Sequence, residues 1–200
     1  MAGISAVLLA AGESTRMQEP KALLAWSGRT LVEHQVDALN QAGVEEVLMV
    51  VGHRAQEVEA LVAHQPKVQV VHNPNYALGK TTSIKVGLAR VSPSAQAILL
   101  LGVDQPRPVS LLERLIQEHQ RRQPLITAPT YQGQSGHPLI FSPELLPELE
   151  AITEERQGVR EVYQRHRSRV HRVATETPLV LVDINTPQDY QRALELLLGA

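Results

Sequence analysis

The chain has 200 residues, a formal net charge of -2 and an apolar fraction dominated by aliphatic side chains, with one Trp and one Phe. That length suits a single domain, residues 1–200, with one well-buried α/β core, and the charge gives no basic field to attract nucleic acid. The absence of cysteine excludes disulfides, thiolate nucleophiles and Cys-based zinc sites.

The chain opens on Met1-Ala2-Gly3-Ile4, without the charged n-region and long apolar stretch of a signal peptide. No apolar run reaches the roughly 18 residues that span a bilayer. The expectation is therefore a cytoplasmic protein with small-molecule substrates, and neither nucleic acid nor membrane as partner.

Ile4 to Ala10 reads as a buried first strand. Thr30 opens a helix, with Glu33 completing a capping box, and Gly43 closes it. Val47 to Val51 reads as a strand, Arg54 to His64 as a helix and Val68 to Val71 as a third strand. Thr82 to Arg90 reads as a helix and Ala97 to Leu101 as a fourth strand. Ser110 and Glu113 form a second capping box, for a helix reaching about Arg122. Strand-like segments follow at Leu125 to Ala128, Pro138 to Phe141, Arg169 to Val173 and Leu179 to Val182. Thr186, Pro187 and Asp189 start a last helix as cap, first-position proline and first-turn acid.

Continuous apolar strands alternating with helices imply a mostly parallel sheet covered on both faces. Ligands of such folds bind outside the carboxyl ends of the strands. The segments that matter are then Ala11–Lys21, Gly52–Arg54, His72–Ser83 and Gly102–Pro108.

In the first of these, Gly12, Ser14 and Thr15 let backbone N–H groups and hydroxyls approach phosphate oxygens, and Arg16 and Lys21 supply fixed positive charge. Asp104 follows the very apolar Leu99-Leu100-Leu101-Gly102 run, where a carboxylate faces the crevice and suits magnesium, or serves only as a turn aspartate. Gly79-Lys80-Thr81 resembles the tail of a P-loop, but Pro74 stands where the first glycine belongs, and no G-x-G-x-x-G follows any strand.

Leu9-Ala10-Ala11-Gly12, Ser14, Arg16-Met17 and Lys21 resemble the signature L-A-A/G-G-x-S-x-R-M-G-x-x-K. That signature belongs to the MobA-like NTP transferases, which include the molybdopterin cytidylyl- and guanylyltransferases and the sugar-phosphate nucleotidyltransferases. Gln18 departs from it at a usual glycine, which affects the local turn more than the phosphate contacts. Asp104-Gln105-Pro106 is similar to the family's metal-holding D-M/Q-P turn. Gly136-His137-Pro138-Leu139-Ile140-Phe141 resembles a strand typical of the cytidylyltransferases, and Asp183-Ile184-Asn185-Thr186-Pro187-Gln188-Asp189-Tyr190 the family's D-I-D/N-T-P-x-D-Y ending.

The resemblance implies a Rossmann-like three-layer α/β/α sandwich of the nucleotide-diphospho-sugar transferase type. It implies nucleotide binding by Leu9, Ala10, Ala11, Gly12, Glu13, Ser14, Thr15, Arg16 and Lys21, and by Asn73, Thr81, Thr82 and Ser83 of the later loop, one of which alternatively caps the helix. Arg16, Lys21 and Asp104 are the implied catalytic groups, with Mg2+ on Asp104 and either Asp183 or nothing as second carboxylate. His137 and Arg160 fall on the acceptor side, although His137 reads equally as a turn histidine. Lys80 and Lys85 read as solvated. The stretch Glu154-Glu155-Arg156-Gln157-Gly158-Val159-Arg160 departs from the cytidylyltransferases' G-D-x-G-A-R-like turn. A helix from about Arg156 would turn its two glutamates to solvent. The implied reaction is magnesium-dependent transfer of a nucleotide, with CTP preferred, to a phosphorylated acceptor. Molybdopterin is the implied acceptor, with a molybdoenzyme or its chaperone as partner, and a sugar or alcohol phosphate is the rival. Ala11, where guanylyl enzymes carry glycine, disfavours a purine. The other readings are a dehydrogenase or P-loop enzyme, which lacks its fingerprint here, and a non-catalytic nucleotide sensor, which would not need Arg16, Lys21 and Asp104 together.

Overall fold

A computed structural model describes residues 3–17 and 19–198. The turn expected at Gln18 and the opening Met1-Ala2 lie outside the described residues. In chain order the elements are β1 (Ile4–Ala10), the hairpin β2 (Ala25–Trp26) and β3 (Arg29–Thr30), α1 (Leu31–Gln41), β4 (Glu46–Val51), α2 (Ala55–Val62) and β5 (Val68–His72). They continue with α3 (Lys80–Leu88), β6 (Ala97–Gly102), α4 (Val109–Arg122), β7 (Ile126–Tyr131), β8 (Gln134–Ser135), β9 (Leu139–Phe141), α5 (Leu146–Glu150), α6 (Val159–Arg165), β10 (Val170–Ala174) and α7 (Pro187–Leu198).

The main sheet runs β10-β7-β9-β6-β1-β4-β5, with β8 paired to β7. All neighbours are parallel except at β9, antiparallel to both β6 and β7, and at β8. β1 is buried along its whole length, as a strand covered on two faces must be. Its alternate residues feed two apolar clusters: Ile4, Ala6, Leu8 and Ala10 pack with α1, α2 and α4, while Val7 and Leu9 pack with α3 and α5. The expected three-layer α/β/α sandwich is therefore present. From β1 the chain goes to β4 and β5 on one side, then returns through α3 to β6 on the other. That reversal opens a crevice at the carboxyl ends of β1 and β6. No helix among the described residues is long and apolar enough to cross a membrane.

The Thr30–Glu33 capping box forms, and Asp189 closes the start of α7 by accepting from the Asn185 and Thr186 backbone. Three local expectations fail. α4 begins at Val109, capped by Pro108 with no side-chain bond, so the Ser110–Glu113 box does not form. Pro108 is held extended (ψ 146°) and its carbonyl accepts from Leu111 and Leu112, which starts the helix before Ser110 can cap it. Leu179 to Val182 is not a strand: Pro178–Leu181 forms a 3-10 turn, because Thr177 caps Leu179 and Pro178 occupies the first helical position. α3 starts at Lys80 rather than Thr82, directly after Gly79 turns the chain at φ 123°.

Candidate active site

The loop after β1 lines a cleft of about 430 Å3 with residues Leu9 to Arg16 and Lys21. A Cβ on Gly12 would meet nothing within 4 Å, so this backbone is open to a ligand on that side. Ser14 takes φ 56° and its hydroxyl accepts from the Lys21 backbone at 3.1 Å, while its carbonyl accepts from Met17. The hydroxyl expected on a phosphate thus also folds the loop. Glu13, Thr15 and Arg16 are exposed at its rim.

Lys21 reaches to the head of the cleft. Its ammonium donates to Asp104 Oδ2 and to Asn185 Oδ1, both at 2.9 Å, and Arg16 Nη2 approaches the same Asn185 oxygen at 3.4 Å. Asp104 is presented by a tight turn: Gln105 N–H donates to the Gly102 carbonyl and Gly102 N–H to Gln105 Oε1. A Cβ on Gly102 would lie 2.3 Å from Asp104 Oδ1, so any larger residue there would displace the Asp104 carboxylate. Ile184 N–H donates to the Asp104 carbonyl at 2.8 Å, and Gln105 Nε2 donates to Asp183 Oδ1 at 2.8 Å. These bonds tie the two aspartate segments together. Asp104 Oδ1 and Asp183 Oδ2 make no hydrogen bond among the described residues.

No cluster of three or more acidic, imidazole or thiol groups forms a closed metal cage among the described residues. Asp104, with a free oxygen, lines the first cleft beside Asn185, while Asp183 lines a neighbouring cleft that shares Asn185 with it; one carboxylate at the head of a nucleotide-sized cleft still fits a hard cation. Magnesium is commonly held by one or two carboxylates, with substrate phosphates completing its shell.

The α3 loop is wired internally. Asn73 is buried, and its Nδ2 donates to Thr82 Oγ1 and Ser83 Oγ, both at 2.9 Å. Thr82 Oγ1 donates in turn toward the Asn75 and Gly79 carbonyls. Ser83 lines the first cleft; Thr81 lines a second, and no hydroxyl caps the helix. Instead Glu154 Oε1 accepts from Thr81 N–H at 2.6 Å.

The second cleft, of about 200 Å3, has an apolar floor of Leu9, Ile84, Leu100 and Leu139, with His137, Glu154 and Arg160 around it. It shares Leu9, Lys80 and Gly102 with the first. Lys80, read from sequence as merely solvated, is exposed but stands where the two clefts meet. Burial pushes the His137 imidazole down to about 4, against the opposing pull of Asp183, so it is neutral at physiological pH. Arg160 is exposed at the rim, and Arg156 pairs with Glu161. The helix expected from about Arg156 begins only at Val159, because Gln157 (φ 63°) and Gly158 (φ 57°) are both left-handed. Glu154 and Glu155 are both exposed, as expected, and Glu154 also lines the cleft.

Sequence reasoning missed four residues here. Asn185 lay inside a quoted motif and was signalled only by its neighbour Asp183. Lys80 sat in a rejected P-loop look-alike. Glu154 reads from sequence only as one of two glutamates turned to solvent. Arg107, between two prolines, carries no motif that singles it out, yet is 0% exposed.

Residues 6–170 match the MobA-like NTP transferase domain family. The molybdenum cofactor cytidylyltransferase of Escherichia coli (strain K12) is 29% identical over 98% of this chain and 97% of its own length. The nicotine blue oxidoreductase of Paenarthrobacter nicotinovorans is 32% identical over 78% of this chain and 79% of its own. The crystal structure of Rv0371c from Mycobacterium tuberculosis H37Rv in complex with manganese superposes with a TM-score of 0.77 at 32% identity, covering 96% of this chain and 98% of that one.

Proposed function

The chain belongs to the MobA-like NTP transferase family, and from that premise we propose that it transfers a nucleotide from CTP to the phosphate of molybdopterin, releasing pyrophosphate, as a single domain acting in the cytoplasm. The observation that carries this reading is the joining of two clefts. The first has open backbone and a Lys21–Asp104–Asn185 cluster, and the second meets it at Leu9, Lys80 and Gly102. Two substrates bound side by side would meet at that junction.

An acceptor phosphate oxygen attacks the α-phosphorus in line. The bond to the bridging oxygen breaks, and pyrophosphate carries away the electron pair. The attacking oxygen is already anionic, so no general base is required. The protein must instead hold two anions together and stabilise the charge that builds on phosphorus. Backbone N–H groups of residues 11–16 cradle the triphosphate, with Lys21 and Arg16 as fixed cations. Asn73, Thr82 and Ser83 shape the wall beside base and ribose, and Thr81 and Ser83 face the substrates. Asp104 and Asp183 would hold Mg2+, which supplies charge neutralisation across the phosphates. The manganese complex of Rv0371c supports a divalent cation in this fold. Lys21 then exchanges Asp104 for phosphate oxygens. His137, neutral, and Arg160 border the acceptor, and the product passes to a molybdoenzyme or its chaperone.

The cytidylyltransferase of E. coli, alignable over nearly the whole chain, supports this acceptor. One observation favours a smaller acceptor, a sugar or alcohol phosphate: the second cleft is about 200 Å3 and Glu154 brings a carboxylate into it. The test is pyrophosphate release from each NTP with molybdenum-loaded molybdopterin and a panel of sugar and alcohol phosphates, with products weighed by mass spectrometry. A cytosine dinucleotide of molybdopterin is expected. Transfer to a sugar or alcohol phosphate alone overturns the acceptor, and no release with any pair overturns the transferase reading.

A further inference from the structure

Arg107 is 0% exposed, the largest buried side chain after Trp26. Removing a guanidinium from water costs several kcal/mol and is tolerated only when its donors are satisfied. A guanidinium carries five N–H donors in one plane. Here Nε donates to the His137 carbonyl at 2.9 Å. Nη1 donates to Pro106 at 2.9 Å and to Val182 at 3.2 Å, and Nη2 to Val180 and Val182, both at 3.2 Å. Every acceptor is a backbone carbonyl, and they belong to three segments far apart in the chain. One segment carries Asp104, one leads into Asp183, and one carries His137.

We infer that Arg107 is a positioning residue: its planar fork sets the spacing of the Asp104 and Asp183 carboxylates and locks the His137 wall of the second cleft to them. The role rests on the nucleotidyltransferase reading, in which those carboxylates hold a cation. The guanidinium touches neither carboxylate. Burial lowers it to about 10, and the charges of Asp183 and then Asp104 pull it back up. A positive charge beneath a cation site opposes metal binding electrostatically. Any gain in cation affinity that Arg107 brings must therefore come from geometry. A lysine at 107 keeps the charge but offers three donors without a plane, and so separates the two effects.

Arg107→Lys is tested by manganese binding in the presence of CTP, read by the paramagnetic resonance of free Mn2+, with CTP binding in EDTA as control. A tenfold or greater loss of Mn2+ affinity is expected, with CTP binding in EDTA within threefold of wild type and kcat partly restored by excess Mn2+. A purely structural arginine would lower stability without that rescue. Mn2+ affinity within twofold of wild type in folded Arg107→Lys overturns the role. If that variant does not fold, hydrogen exchange in the wild-type protein decides. Ile184 N–H, bonded to the Asp104 carbonyl, and His137 N–H, bonded to the Val180 carbonyl, should gain protection with one shared Mn2+ midpoint. Protection at Ile184 with none at His137 overturns the coupling. Wild-type protein that binds no Mn2+ in the presence of any of the four NTPs overturns the cation reading of this site, and the role with it.

Discussion

Lys21→Met keeps the aliphatic stem of Lys21 and removes only its charge. The Lys21 ammonium lies 2.9 Å from Asp104 Oδ2, with the two side chains 14% and 22% exposed. At an effective dielectric near 20, a pair at that separation attracts by about 6 kcal/mol before desolvation is counted. Desolvation of two largely buried groups returns most of this, which leaves a net loss of about 1–3 kcal/mol. For a chain of this size that lowers Tm by roughly 2–12 °C.

Activity should fall much further. Losing one preorganised donor to developing phosphate charge costs about 100- to 1,000-fold in kcat. The two effects separate by temperature. Well below Tm the unfolded fraction is negligible, so a drop in pyrophosphate release there is catalytic. A cycle with Asp104→Asn adds a second check: the partners are in contact, so the double variant should lose less stability than its two singles combined. A kcat/KM within about threefold of wild type would refute the reasoning. Lys21 would then be only the structural partner of Asp104.

Asp104→Asn should leave the circular dichroism spectrum unchanged and abolish most turnover and Mn2+ binding, since Asp104 sits at a strand end and not in the core. Calorimetry should show CTP bound more tightly than GTP, and Ala11→Gly should narrow that gap, because Ala11 is among the residues that line the first cleft; equal affinities in the wild type sink the base assignment. Gly79→Ala should lower stability by about 1–3 kcal/mol, since Gly79 takes φ 123° and a Cβ there would lie 2.5 Å from Glu154 Oε1; an unchanged denaturation midpoint would contradict it. Burial lowers His119 to about 4 and His137 likewise, while an unfolded imidazole titrates near 6.5. The unfolded chain takes up protons first, so stability should fall as pH drops from about 6.5 to 4, by roughly 3 kcal/mol for His119 alone. His119→Gln should flatten that slope, and an equally steep decline in the variant would refute it.

The parts of the fold that sequence disclosed are those decided within a few residues. β1 is apolar on both faces because both faces are covered, and Thr30 with Glu33 closes a helix end without outside help. The errors arose where a local signal had a local competitor. Ser110 is a sound cap, but Pro108 two residues earlier already held the extended conformation that starts a helix. Leu179 to Val182 is apolar enough for a strand, but Thr177 and Pro178 bend it into a 3-10 turn first. In both cases proline fixed the backbone and the side-chain pattern followed it.

The site divides along a different line. Lys21 and Asp104 announce themselves because each stands in a loop whose position after a strand is readable, so their meeting across 83 residues follows from the sheet. Glu154, Asn185 and Arg107 are set by partners in other segments: Thr81 for Glu154, Lys21 for Asn185, and the carbonyls of residues 180 and 182 for Arg107. Sequence gives the sign of such a charge and not its direction. Glu154 and Glu155 are identical neighbours and both are exposed, yet only Glu154 accepts from the start of α3 and lines the second cleft. The left-handed pair Gln157 and Gly158 turns the chain beside them and delays α6. On the proposed reading, that turn sets the charge an acceptor would meet, so acceptor choice would depend on backbone geometry at these two residues as much as on the side chains that line the cleft.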